Sequence, residues 1–173
     1  MANLGRNIAV SLLFTFLGGP ALVLGYFPWT ITHFRIPPGE PPGLALAAAL
    51  LIAAGLIPLL ESIVRFITVG RGTLVPALPP EHLVVSGLYR YVRNPMYVGV
   101  LTVIAGEALL FRNRDMVTYL AGAWLTTHLF VCLYEEPKLT RIFPAEYPIY
   151  KKNVPRWIPR LTPLNSHHAG QSN

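Results

Sequence analysis

The sequence predicts an all-α integral membrane protein with about four transmembrane helices. Three observations carry that fold class. Charged residues make up 13% of the chain, against roughly 25% in an ordinary soluble domain. Hydrophobic residues make up 53%, with a mean hydropathy of +0.46. The apolar residues fall into four runs, 8–27, 44–64, 97–111 and 116–134. The 14 glycines and 17 prolines belong to loops, helix ends and tolerated kinks within spans.

The first run follows Arg6. It is long and has no small-x-small cleavage site after it, so it reads as a retained span rather than a signal peptide. The second run ends with Glu61 and Arg65, spaced for an ion pair on one helical face. The loop that follows, 65–95, contains GRGTLVPALPPEHLVVSGL. It is too irregular for a helix and too long for an idle connector, and its Val, Leu and Tyr content disfavours disorder.

The third run is short of the roughly 20 residues that cross a bilayer. It must be tilted, met by a thinner membrane, or lengthened by the polar stretch before it, YRYVRNPMYVG. Glu107 lies inside this run. A carboxylate at membrane depth is costly and is normally paired or functional. The favoured partners for Glu107 are Arg112 and Arg114 near the far end. The link FRNRD is brief and forces an antiparallel hairpin, with Asp115 as the expected N-cap of the fourth run. That hairpin sets YRYVRNPMYVG beside the end of the fourth run, which reads YEEPK.

On the fourth run His128, Cys132 and Glu135 share a face. With no fourth ligand at hand, a packed or hydrogen-bonded histidine is favoured over a metal site. The stretch 137–163 is basic and amphipathic. Phe143, Tyr147 and Tyr150 fit one helical face, with Pro148 a candidate break. It should lie along the membrane interface and cover a site. The end, SHHAGQSN, reads as a disordered polar tail at 166–173, leaving 1–165 as a single domain.

The charge pattern assigns sides. With the N-terminus in the cytoplasm, eleven Lys and Arg fall on the cytoplasmic face and three, Arg35, Arg112 and Arg114, on the other. This bias marks an inner-membrane protein with both termini cytoplasmic. It also accounts for the net charge of +6 without nucleic acid. One cysteine, Cys132, excludes an internal disulfide, and no Cys/His cluster has zinc spacing.

Chemistry is therefore expected where the hairpin closes. Glu135 and Glu136 lie near a helix C-terminus, where acidic groups oppose the macrodipole. The hairpin brings Arg90, Arg93, Asn94 and the tyrosines to them. Two readings stand: structural ion pairs, or a site in which a carboxylate captures a ligand ammonium.

The stretch GRGT…PP…LVVSGLYRYVRNPMYVGV…GEALLF…H.FV..YEEP.L…F..EY..Y…VPRWIPR resembles the isoprenylcysteine carboxyl methyltransferase family, integral membrane enzymes, and its small bacterial members most. It covers roughly residues 66–162 and leaves out the first two spans, 8–64. The resemblance implies S-adenosylmethionine as cofactor, bound on the cytoplasmic side. The pocket is then formed by the loop, the third and fourth helices and the C-terminal segment. By position it implies cofactor contacts from Glu81, His82, Leu83 and Val84. Further contacts come from Tyr89, Asn94, Pro95, Met96 and Tyr97, then Glu135 and Glu136. No catalytic base is implied, Arg93 and Glu136 being supporting groups, and the acceptor is a lipophilic molecule or lipidated protein.

Three positions depart from the family pattern. Asn94 stands where the family often has His, Pro144 where a Gly is usual, and Val131 where eukaryotic members carry a substrate-holding Arg. A related Arg-x-Pro-x-Tyr segment occurs in membrane sterol and steroid reductases, which use NADPH. That enzyme class is the alternative, with a non-catalytic membrane protein as a third reading.

Overall fold

In a computed structural model the described residues are Gly5, 19–39, 41–70 and 81–164. Their regular elements are all helices, with no strand among them. Most of the first apolar run, residues 71–80 of the long loop and the tail at 165–173 lie outside them.

Helix α1 runs from Gly19–Ala21 through a π-helical turn, Leu22–Tyr26, into Phe27–Thr32. A π-turn leaves backbone carbonyls without their usual i+4 partners, and the Tyr119 hydroxyl donates to Val23 O at 2.9 Å. Helix α2 is Pro42–Thr68, uninterrupted by Pro58. Helix α3 is Pro95–Phe111, opened by a proline whose missing N–H costs nothing at the first position. Helix α4 starts at Arg114–Phe130, passes through a π-helical turn at Val131–Glu135, and ends in Glu136–Ile142. Helix α5 is Glu146–Asn153. Pro148 falls in its first turn, where a proline is tolerated, so it does not break the helix.

Among the described residues two helices, α2 with 27 residues and the continuous α4 with 29, are long and apolar enough to cross a membrane. At 1.5 Å per residue each spans roughly 40 Å. Little of either is buried, and Leu46, Leu50, Ile57, Leu60 and Val64 of α2 and Trp124, Leu125, Leu129 and Leu133 of α4 are exposed. Apolar helices with unburied faces of this kind belong in lipid. Helix α3, with 17 residues, is shorter and more enclosed.

Helices α2 and α3 meet at backbone distance. A Cβ on Gly55 would lie 2.6 Å from Gly99 O, and one on Gly99 would lie 2.6 Å from Gly55 O. Small residues at such a crossing gain dispersion where lipid offers no hydrophobic drive. Ile104, Ala108 and Met116 form the core between α3 and α4, with Val23, Leu24 and Ile31 of α1 packed on it. A second cluster, Tyr147, Tyr150, Val154 and Leu164, holds the C-terminal segment and takes in Leu83, Val85, Leu139 and Phe143. Phe143, Tyr147 and Tyr150 thus do face one cluster, although Phe143 precedes α5.

Two local expectations are corrected. The N-cap of α4 is Asn113, whose side chain accepts from Asp115 N at 2.7 Å and Met116 N at 3.3 Å. Asp115 is already inside the first turn, because α3 ends at Phe111 and Arg112 turns the chain in the left-handed region at φ 46°. That turn also carries Arg112 away from Glu107. The Arg112 guanidinium donates to Pro37 O and Pro38 O, while Glu107 Oε2 is buried with no hydrogen-bond partner. Among the described residues Glu107 therefore forms no ion pair with Arg112 or Arg114.

Candidate functional site

The stretch 89–99 is built by two things: a short 3₁₀ turn, Gly87–Arg90, and the start of α3. Gly87 has φ +55°, and a Cβ there would strike the Glu61 and Arg65 side chains. Those two side chains form an ion pair at the end of α2, as their spacing predicts, so the loop turns tightly over that helix end.

The C-terminal strap then fastens the stretch. Arg93 N donates to Pro155 O at 2.9 Å, Arg160 N to Tyr91 O at 3.0 Å and Leu164 N to Arg90 O at 3.0 Å. Arg90 Nε returns a bond to Leu164 O, Asn94 Nδ2 donates to Arg156 O, and the Tyr150 hydroxyl donates to Tyr89 O. The segment expected to cover the site is thus bonded onto it.

The two adjacent glutamates face different surroundings. The π-turn Val131–Glu135 ends on the first of them and rotates α4 just before Glu136. The Glu136 side chain is 3% exposed and bound by three cations: Arg93 at 2.8 Å, Arg156 at 2.6 Å and Lys151 at 2.7 Å. A second Arg156 contact, from Nη2, makes that pair bidentate. Hydrogen bonding to Glu136 in turn holds the Arg156 guanidinium more firmly protonated.

Glu135 instead faces tyrosines. Its Oε2 accepts the Tyr97 hydroxyl at 3.1 Å. Burial raises the pKa of the Tyr89 hydroxyl, and the Glu135 and Glu61 charges push it the same way, so Tyr89 stays protonated between these carboxylates. Lys138 is one turn further along α4, and its ammonium bonds the Tyr134 hydroxyl and lies over that ring. Glu61 Oε2 is buried without a hydrogen-bond partner, an orphaned acceptor near the same tyrosine.

A sequence model of the phospholipid methyltransferase family matches residues 44–146, which takes in nearly all of α2, all of α3 and α4, the tyrosine stretch and both glutamates. The chain belongs to this phospholipid methyltransferase family. The family includes isoprenylcysteine carboxyl methyltransferase-like proteins, so the resemblance drawn from 66–162 and the match from 44–146 agree. Membership makes the chain a membrane methyltransferase at the level of the family. No curated protein and no solved structure matches it.

Within this phospholipid methyltransferase family member, the structure brings Tyr89, Tyr97 and Glu135 together, with Asn94 and Pro95 buried at the start of α3 and Met96 half-buried beside them. Val84 is buried and Leu83 packs on the C-terminal cluster. Glu81 and His82 are exposed, and their backbone N–H groups close onto Gly70 O. Sequence reasoning missed Arg156 and Lys151 as partners of Glu136. The available signal was that a carboxylate leaving a membrane helix needs cations, and KKNVPRWIPR supplies them. It also left His128 without a partner: Nδ1 of His128 accepts the indole N–H of Trp157 at 3.1 Å.

Proposed function

We propose that this protein transfers a methyl group from S-adenosylmethionine to a lipophilic acceptor, as isoprenylcysteine carboxyl methyltransferase-like enzymes do. The observation that carries the reading is the division of labour between two adjacent carboxylates. Glu136 is saturated by Arg93, Arg156 and Lys151, whereas Glu135 is presented among hydroxyls, aimed by Tyr97. A half-enclosed carboxylate in such a place is suited to an ammonium group, and the cofactor's aminoacyl end carries one.

In this assignment Glu135 binds the ammonium and Tyr97 orients it. Tyr89, Asn94, Pro95 and Met96 wall the pocket, and Glu81, His82, Leu83 and Val84 close it from the loop. Glu61 Oε2 is a second acceptor on the Tyr89 side. Arg93 and Glu136 act at a distance by fixing the strap. The basic sidedness of the loops supports a cytoplasmic site, with both termini on that side.

When bound, the cofactor supplies an electrophilic methyl on a sulfonium, ready for in-line displacement. The residues then have to align two partners and keep water away rather than generate a strong nucleophile. That suits a site rich in tyrosine and apolar groups with no nucleophile and base pair. An NADPH-dependent reductase would want cations for a 2′-phosphate, and here Arg93 and Arg156 are held by Glu136.

Calorimetric titration of S-adenosylmethionine into the detergent-solubilised protein tests the assignment. Glu135→Ala should abolish binding while helicity is kept. Affinity unchanged by that substitution, or tight NADPH binding with none for S-adenosylmethionine, overturns it.

A further inference from the structure

An open groove of about 600 Å³ runs between α2, α3 and α4, a volume in the range of single-ligand pockets. Leu51, Val98, Ala105, Leu120 and Ala121 line it. Its one hydroxyl, on Thr102, is spent on Val98 O at 2.8 Å. The rest of its lining on α2 and α3 is aliphatic, and it lies among helix faces that meet lipid.

The groove's lining also includes two indoles, Trp124 of α4 and Trp157 of the strap, and His128, just behind that lining, makes ring contacts with both. Its ring stacks on Trp124 with centroids 5.3 Å apart and lies 6.0 Å from the Trp157 ring. An indole N–H can only donate, so His128 Nδ1 is the acceptor and the proton of the neutral ring lies on Nε2. That Nε2 faces the Cys132 sulfur at 3.6 Å, a weak partner that a better acceptor replaces easily. His128 precedes Glu135 by seven residues, about 10 Å along the helix. An acceptor head at His128 and a cofactor at Glu135 would share that interval.

We propose that the Trp124–His128–Trp157 cluster is the head-group site of a lipid groove. The occupant is a single-chain amphiphile: its alkyl or prenyl chain lies in the groove, and an oxyanion of its head accepts the Nε2–H of His128. Trp157 is a positioning residue that fixes the donor tautomer. This deepens the reading of a lipophilic acceptor and rests on it. The binding test below uses no cofactor, so the two fail separately.

The test uses the full chain in lipid nanodiscs with Trp29→Phe, leaving Trp124 and Trp157 as the fluorophores. Titration with 2-bromododecanoate should quench them saturably. His128→Ala should weaken the apparent affinity about tenfold, the weight of one hydrogen bond to a charged group. Ala121→Phe should weaken it by filling the groove. Dodecanol, which lacks an oxyanion, should compete equally well with and without His128. Competition by dodecyl phosphate against dodecanoate tells whether the preferred head is a phosphate or a carboxylate. Linear, unsaturable quenching overturns the proposal, as does saturable quenching indifferent to both substitutions. Circular dichroism confirms that the variants keep their helix content. A separate S-adenosylmethionine titration of the parent protein reports on the cofactor reading alone.

Discussion

Glu135 and Glu136 are neighbours in sequence, yet Glu136 binds Arg93 across 2.8 Å while Glu135 accepts from Tyr97 across 3.1 Å. One carboxylate is a structural node and the other is presented to a pocket. The node ties three elements: the segment leading into α3 through Arg93, α5 through Lys151 and the strap through Arg156.

Removing the node should therefore cost stability. Glu136→Ala leaves Arg93, whose side chain is 7% exposed, as a buried cation without its counter-charge. Breaking such a pair from one side typically costs about 3–5 kcal/mol. The lower end is expected, because Lys151 is 46% exposed and gains little from its pair. The measurements are thermal unfolding in detergent and limited proteolysis of the strap. A strap as protected as in the parent protein would count against the node.

Tyr97→Phe separates the two roles from the other side. It removes the hydroxyl that aims Glu135 and leaves the Glu136 node intact. S-adenosylmethionine affinity should fall about tenfold, as for loss of one hydrogen bond to a charged acceptor. The unfolding midpoint should barely move. Equal losses in both measurements would make Tyr97 a packing residue.

Much of this was legible in the residues. Low charge and apolar runs give the membrane class, and the brevity of FRNRD gives the hairpin that puts Tyr97 beside Glu135. The Glu61 and Arg65 spacing gives their pair. The strap was foreseen only as a cover, because its bonds run from 155–164 to 90–94, and main-chain pairing between irregular segments leaves no periodic trace. The cap was misassigned to Asp115 because Asn113 and Asp115 are both good capping residues. Where α3 stops decides between them, and a left-handed Arg112 is not readable from residue type. Spacing alone pairs Glu107 with Arg112 and Arg114, but the Arg112 guanidinium is spent on Pro37 O and Pro38 O.

The α2–α3 crossing yields a prediction with a built-in control. Gly55→Ala puts a methyl 2.6 Å from Gly99 O, with Val103 also closer than 3 Å. Backbone cannot yield as a side-chain tip can, so the helices must part. The cost should be about 1–3 kcal/mol, as for other overpacked sites. Gly122→Ala, on α4, meets nothing within 4 Å and should be neutral or slightly stabilising, since alanine favours the helix. Chemical unfolding of the two variants side by side checks this, and equal behaviour would deny the close crossing.

The C-terminal cluster should make the protein sensitive to alkali. Burial pushes the Tyr147 hydroxyl up to about 12, with the Glu136 charge adding to the rise and Arg93 opposing it. Burial raises Tyr150 and Tyr89 as well. In the unfolded chain these phenols ionise near the ordinary value of about 10. Above that pH the unfolded state gives up protons that the folded state retains, so it is the unfolded state that gains. The stabilisation is complete below pH 10 and declines as the pH rises toward about 12. Unfolding midpoints measured from pH 8 to 12 should therefore be flat and then fall. Tyr147→Phe should flatten the fall, because phenylalanine cannot ionise and the Tyr147 hydroxyl makes only a long contact, 3.4 Å, with Arg93. Tyr150→Phe should flatten it too, but from a lower starting midpoint, since it gives up the 2.7 Å bond to Tyr89 O that anchors the strap. A fall of undiminished steepness in both variants would place the alkaline sensitivity elsewhere in the protein.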